Sequence, residues 1–211
     1  PPICGASGNP ILLGSGLSDL SSCFFEVLEP DQMVHGFGIP FHELGHNFTG
    51  THLRFADFAD GGDQIDYNEG LATALGMFAC EAILRASDEL SLTPEIIDVL
   101  QHSWLCWRHS GAGEWLADYV SYGANYENVD PNVVNDILWV LVQEHGWGIL
   151  YRFYSALLPR LQGPFPFPVQ TTAEQATFFA LALSEAAGVD LVARFRDYWG
   201  FPIDVEALTV M

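Results

Sequence analysis

The distribution of hydrophobic and polar residues divides the chain into two parts. Residues 1–35 are rich in Gly and Ser and predict strands and loops. Residues 36–211 consist largely of good helix formers in hydrophobic segments bounded by Pro, Asp and Gly. We therefore predict a mainly α (α+β) fold, in which an N-terminal strand and loop region precedes a helical bundle.

Pro and Gly residues mark the ends of the predicted helices. Pro is tolerated in the first turn of a helix and Gly favours its end, so a helix of about nine residues fits between Pro40 and Gly50. Further helices are predicted at 68–87, 94–109, 131–145, 147–158, 172–187 and 190–199. Thr172 and Gln175 have the spacing of a capping box at the start of the helix 172–187. The residues that follow Trp115 are predicted to form a loop.

The composition limits the possible classes of function. The 211 residues include 27 acidic and 7 basic side chains, every base is an Arg, the formal net charge is −20, and 49% of residues are hydrophobic. A charge of this sign repels phosphate backbones and anionic membrane surfaces, and the hydrophobic content is too high for a disordered acidic tail. Apolar segments such as Ile137–Val142 are far too short to span a membrane. We expect a folded domain that neither binds nucleic acid nor inserts into a membrane.

The length and the N-terminal residues suggest one domain of a secreted protein. Because a domain contains about 150 residues on average, we predict a single domain over residues 1–211. The chain begins Pro1-Pro2-Ile3 without a leader segment, so we expect that it is excised from a longer secreted protein with an extracellular location. An even set of cysteines would form two disulfides in a secreted protein, or buried thiols in a cytosolic one: Cys4, Cys23, Cys80 and Cys106.

One motif carries the candidate chemistry, the segment His42-Glu43-Leu44-Gly45-His46. Residues i and i+4 lie on one face of a helix, so His42 and His46 can bind one metal ion together. The motif indicates Zn²⁺, because imidazole is a preferred zinc ligand and a catalytic zinc has three protein ligands and an open position for water. Glu43 is predicted to be the general base, which takes a proton from that water and delivers it to the leaving amine.

Two residues compete as the third ligand. Glu69 lies 69 − 46 = 23 positions after His46, near the start of the next predicted helix, from which its carboxylate can point at the metal. His52 lies six positions after His46, which is the metzincin spacing. However, Thr49 stands where that motif requires Gly, and Met77, the candidate for the metzincin Met-turn, falls inside a predicted helix. The pattern favours Glu69, with His52 as the alternative.

An acidic segment and several donors are further candidates. Four Asp residues within positions 57–66 offer oxygen ligands for Ca²⁺, but their spacing does not match an EF-hand loop, so we favour a solvated acidic loop. Four side chains are candidate hydrogen-bond donors to the oxyanion of a hydrolytic transition state: Tyr119, Tyr122, Tyr126 and His145. The sequence does not choose among them.

These motifs and their order resemble those of the enhancin-like, mucin-degrading zinc metallopeptidases, a gluzincin family. The string HELGHN is similar to the active-site helix of the family. The segment 137–147 looks like its helix that ends in Gly-Trp, and the segment 184–202 looks like its closing helix-turn-helix. The resemblance extends from about Gly36 onward. It implies a zincin-like catalytic domain, a protein or glycoprotein substrate, and one catalytic Zn²⁺ bound by His42, His46 and Glu69.

Two positions depart from the gluzincin pattern. Gly70 follows Glu69 where the family usually has Val or a similar residue, which leaves the subfamily and the substrate open. Thr73 stands one turn after Glu69, where thermolysin-like gluzincins have an Asp that orients a ligand His. The Thr73 hydroxyl can accept an imidazole N–H but carries no charge.

The sequence thus predicts a zinc-dependent endopeptidase that hydrolyses peptide bonds of proteins, with glycoproteins or mucins as the class that the resemblance implies. Three alternatives remain. They are a gluzincin aminopeptidase, a metzincin-type endopeptidase that uses His52, and a zincin-like module that binds glycans or proteins without cleaving them.

Overall fold

A computed structural model describes residues 4–7, 12–15, 41–42, 44–46, 67–109, 113–126, 129–161 and 171–208. These residues are mostly helical, which confirms the mainly α prediction, and they include one two-stranded sheet. Strands β1 (Cys4–Ser7) and β2 (Leu12–Ser15) pair antiparallel, with Cys4 opposite Ser15 and Ser7 opposite Leu12. Both strands lie in the region for which strands and loops are predicted.

The helices follow the sheet in chain order. Residues 41, 42 and 44–46 are helical and form the motif helix. The longer elements are α1 (Tyr67–Arg85), α2 (Pro94–His109), α3 (Glu114–Ser121), α4 (Pro131–His145), α5 (Gly148–Leu161), α6 (Thr172–Ala187) and α7 (Val205–Leu208). A π-helical turn, Arg194–Tyr198, lies within the predicted helix 190–199. No helix within the described ranges is long and apolar enough to cross a membrane.

The chain divides into two compact units. The first consists of Pro1–Thr49 and Leu71–Ala112, and the second of Gly50–Gly70 and Gly113–Met211. Helix α1 is continuous and begins with residues of the second unit. The single catalytic domain over residues 1–211 stays a prediction.

In the first unit, α1 contributes buried side chains to the core. Leu71, Ala72 and Met77 are almost fully buried, as is Leu100 of α2. Cys80 is also buried and forms no disulfide, and burial raises the pKa of its thiol to about 12. The thiol is therefore protonated at neutral pH. Of the two alternatives for the cysteines, Cys80 matches the buried thiol and not the disulfide.

In the second unit, an aromatic cluster forms the centre of the core. Phe195 meets the rings of Phe179, Trp199 and Phe201 edge-on, with centroids 4.8–5.7 Å apart. All four side chains are nearly inaccessible to solvent. Edge-to-face pairs of this kind add to the free energy gained by burying apolar surface, so this cluster stabilises the C-terminal part of the chain.

The predicted capping box is wrong by one residue. The Thr171 hydroxyl accepts a hydrogen bond from the Glu174 N–H, and the Glu174 carboxylate accepts one from the Thr171 N–H. Thr172 and Gln175 have the same spacing, but the Gln175 side chain is buried. The carboxylate at Glu174 also interacts favourably with the positive end of the helix dipole, which an amide does not.

The predicted loop after Trp115 is wrong for residues 116–121, which belong to α3, whereas Tyr122 and the residues up to Tyr126 lie beyond the end of the helix. Gly113 provides no side-chain cap for this helix. Instead, the buried carboxylate of Asp136, on α4, accepts a hydrogen bond of 3.0 Å from the Leu116 N–H. The first turn of α3 is thus stabilised by a residue twenty positions away, and no local sequence pattern indicates it.

Candidate metal centre

The motif helix places the two imidazoles of His42 and His46 side by side. Their rings are perpendicular, with centroids 4.6 Å apart, and their Nε2 atoms are separated by 3.0 Å. Two nitrogen ligands of one tetrahedral zinc, each about 2.05 Å from the ion, lie about 3.3 Å apart. The two Nε2 atoms are therefore close to the separation that a shared metal ion requires.

Gly45 allows the motif helix to pack closely on α1. A Cβ atom added at Gly45 would lie 2.5 Å from the carbonyl oxygen of Ala72 and 2.8 Å from its Cα. These are backbone atoms, which cannot move aside as the end of a side chain could. The Gly within the HELGH string is therefore a steric requirement of this packing.

Thr73 holds one of the imidazoles from α1. Its Oγ1 lies 2.9 Å from His42 Nδ1, and the contact is partly buried. When Nδ1–H donates to this hydroxyl, the lone pair of Nε2 is available to a metal ion. The anticipated contact between Thr73 and a motif imidazole is present.

Glu69 lies near the start of α1, one turn before Thr73. One ligand atom from each of His42, His46 and Glu69 can be chosen so that all three lie within 4.8 Å of one another. All three residues are half-buried. Two imidazole nitrogens and one carboxylate oxygen form a donor set that suits a divalent metal ion such as zinc. The structure thus brings together the three residues that the sequence predicts as ligands.

Tight packing fixes the first turn of α1, which carries Glu69. The hydroxyls of Tyr67 and Tyr126 are hydrogen-bonded at 2.6 Å, and the fully buried Tyr67 ring meets Phe179 edge-on. A Cβ atom at Gly70 would lie 2.7 Å from Val134 Cβ. The Gly that follows Glu69 therefore has a physical reason, since α1 passes too close to α4 for a side chain at this position.

Burial also determines the state of these two phenols. It raises the pKa of Tyr67 and Tyr126, so both hydroxyls are neutral at physiological pH and can share a hydrogen bond. Tyr67 was not among the predicted functional residues. In the sequence, its position two residues before the candidate ligand Glu69 is the signal that could have indicated it. Its burial is visible only in the structure.

The candidate oxyanion donors have different surroundings. The Tyr119 hydroxyl donates to the Trp199 carbonyl oxygen at 2.8 Å, and burial raises its pKa to about 12. Tyr126 is engaged with Tyr67. Tyr122 is 87% exposed, and His145 Nε2 lies 3.8 Å from a Glu144 carboxylate oxygen. The oxyanion donor stays unassigned.

Three of the predicted features lie outside the described residues. They are the general base Glu43, the alternative ligand His52 and the acidic segment 57–66. The roles assigned to them stay predictions.

Comparison with known proteins provides no relative for this chain. No protein-family model matches it, and searches of curated proteins and of solved structures found no match.

Proposed function

We propose that this chain is a zinc-dependent peptidase with a zincin-like catalytic domain. His42, His46 and Glu69 bind one Zn²⁺, and Glu43 is the general base. The observation that supports this most directly is the group of three ligand atoms within 4.8 Å of one another. Catalytic zinc sites have three protein ligands and an open position, whereas structural zinc sites are usually closed by four.

The metal ion, Glu43 and Thr73 have different roles in the proposed hydrolysis. The bound ion would acidify a water molecule and polarise the carbonyl oxygen of the substrate. Glu43 takes a proton from the attacking water and delivers it to the nitrogen of the leaving amine. Thr73 keeps the proton of His42 on Nδ1, which directs Nε2 toward the site.

The proposed substrates are proteins. The resemblance to mucin-degrading enzymes narrows this class to glycoproteins, and a secreted location belongs to the same proposal. The half-buried ligands suit a site that a polypeptide can reach from solvent.

Two variants and one control variant test the proposal. For each protein, the bound zinc and the rate of cleavage of a quenched fluorescent peptide library are measured. Glu43→Gln should retain zinc but lose activity by about 10²- to 10⁴-fold, because it removes only the proton transfer. Glu69→Gln should lose zinc and activity together. Glu81→Gln is the control, because Glu81 lies on the same helix but pairs with Arg85 at 2.6 Å and should affect neither quantity.

Full activity of Glu43→Gln would refute the proposed mechanism. If zinc-loaded wild-type protein leaves glycoproteins and peptides intact after long incubation, the chain is a binding module rather than a peptidase. Peptides with blocked N-termini separate the two kinds of peptidase, since an aminopeptidase does not cleave them.

A further inference from the structure

A cavity within the second unit lies along one face of α3. Its volume is about 360 Å³, and the residues that line it include Trp115, Asp118, Tyr119, Tyr122, Asn125 and Asp130. Trp115, Asp118 and Tyr119 lie at i, i+3 and i+4 of α3, so they are neighbours on one side of the helix, and Tyr122 is the residue directly after its end. None of the six is a proposed metal ligand.

Aromatic rings form much of the wall of this cavity. Trp115 is 46% exposed and Tyr122 is 87% exposed, which is unusual for side chains of this size. The Tyr119 ring is held in place, because its hydroxyl donates to the Trp199 carbonyl oxygen. The faces of such rings carry negative charge density and attract cations.

The charged residues that line the cavity in the described part of the chain are Asp118 and Asp130, and both are acidic. The Asp118 carboxylate makes no hydrogen bond or ion pair with any other described residue. Asp130 accepts the N–H groups of Asn132 and Val133 through Oδ1, at 2.8 and 3.2 Å, while its Oδ2 accepts no hydrogen bond in the described part of the chain. Among the described residues, none that lines the cavity is basic. Within this part of the chain, neither carboxylate is therefore paired with a positive charge.

We propose that this aromatic and acidic cavity binds an alkylammonium ion. A cation supplies only positive charge and hydrogen-bond donors, which matches unused carboxylate oxygens beside exposed rings. A neutral sugar could hydrogen-bond to this lining, but it carries no positive charge to balance the two carboxylates. The net charge of −20 also raises the local concentration of cations at the surface.

Titration with choline and with its neutral isostere 3,3-dimethylbutan-1-ol tests the proposal. Binding is measured by calorimetry and by tryptophan fluorescence, with a chelator present so that the result is independent of the metal centre. Choline should bind and the isostere should bind at least about fivefold more weakly, because only choline carries the charge. A parallel titration with Nα-acetyl-lysine amide shows whether a free ligand or a lysine side chain of another protein binds more tightly.

Three variants locate the binding site. Trp115→Leu and Asp118→Asn change exposed side chains and should each weaken choline binding by about fivefold or more. Asp88→Asn removes an exposed charge in the first unit and should leave the affinity unchanged. Equal binding of choline and its isostere, or equal effects of Asp88→Asn and Asp118→Asn, would overturn the proposal. Saturation by methyl glycosides without binding of choline would overturn it in favour of a sugar site.

Discussion

Replacing Thr73 by Val should weaken metal binding without disturbing the fold. Val is β-branched like Thr and has a similar helix propensity, but it lacks the hydroxyl oxygen that lies 2.9 Å from His42 Nδ1. Groups that hold the distal nitrogen of a ligand His typically contribute 10- to 100-fold to metal affinity. Because Thr73 is uncharged and only half-buried, we expect the lower end, about tenfold, or about 1.4 kcal/mol of binding free energy.

Competition for zinc between the protein and a chromogenic chelator measures this change. Thr73→Ser retains a hydroxyl and should restore most of the affinity. Urea unfolding of the metal-free proteins should show that all three are equally folded. If Thr73→Val binds zinc as tightly as the wild type, the hydroxyl does not orient His42 and the argument from its contact with Nδ1 is refuted.

Two further predictions concern stability. Gly45→Ala gains about 1 kcal/mol in helix propensity, but the clash with the Ala72 backbone should cost about 2–3 kcal/mol, so urea unfolding should show a net loss. Gly148→Ala, where the methyl group meets only a flexible guanidinium at 3.1 Å, should not destabilise; equal behaviour of the two variants would contradict the packing argument. Burial raises the pKa of Asp136, so the folded state holds that proton more tightly than the unfolded state. Its contribution to the free energy of unfolding should therefore fall as the pH rises above about 4, and this fall should be absent in Asp136→Asn.

Features that depend on local spacing could be predicted from the sequence. His42 and His46 are four residues apart, and a helix brings such residues to one face whatever surrounds it. The helix 131–145 follows in the same way from Asp130, which caps the first turn of α4, and from Gly146, which ends it with a φ of 73°. Thr73 could be named as an acceptor for an imidazole N–H only through the resemblance to gluzincins, in which an Asp occupies this position.

Features that depend on contacts between distant segments were decided only by the tertiary structure. The separation of Gly45 from Ala72 and of Gly70 from Val134 is set by how closely helices approach, which single residues do not encode. The helix α3 exists although its own N-cap offers no side chain, because Asp136 satisfies the Leu116 N–H from α4. The sequence by itself thus determines which side chains lie on the same face within one or two turns of a helix. Which helix turns contact each other is determined only by the tertiary structure, because burial and steric fit depend on all neighbouring residues together.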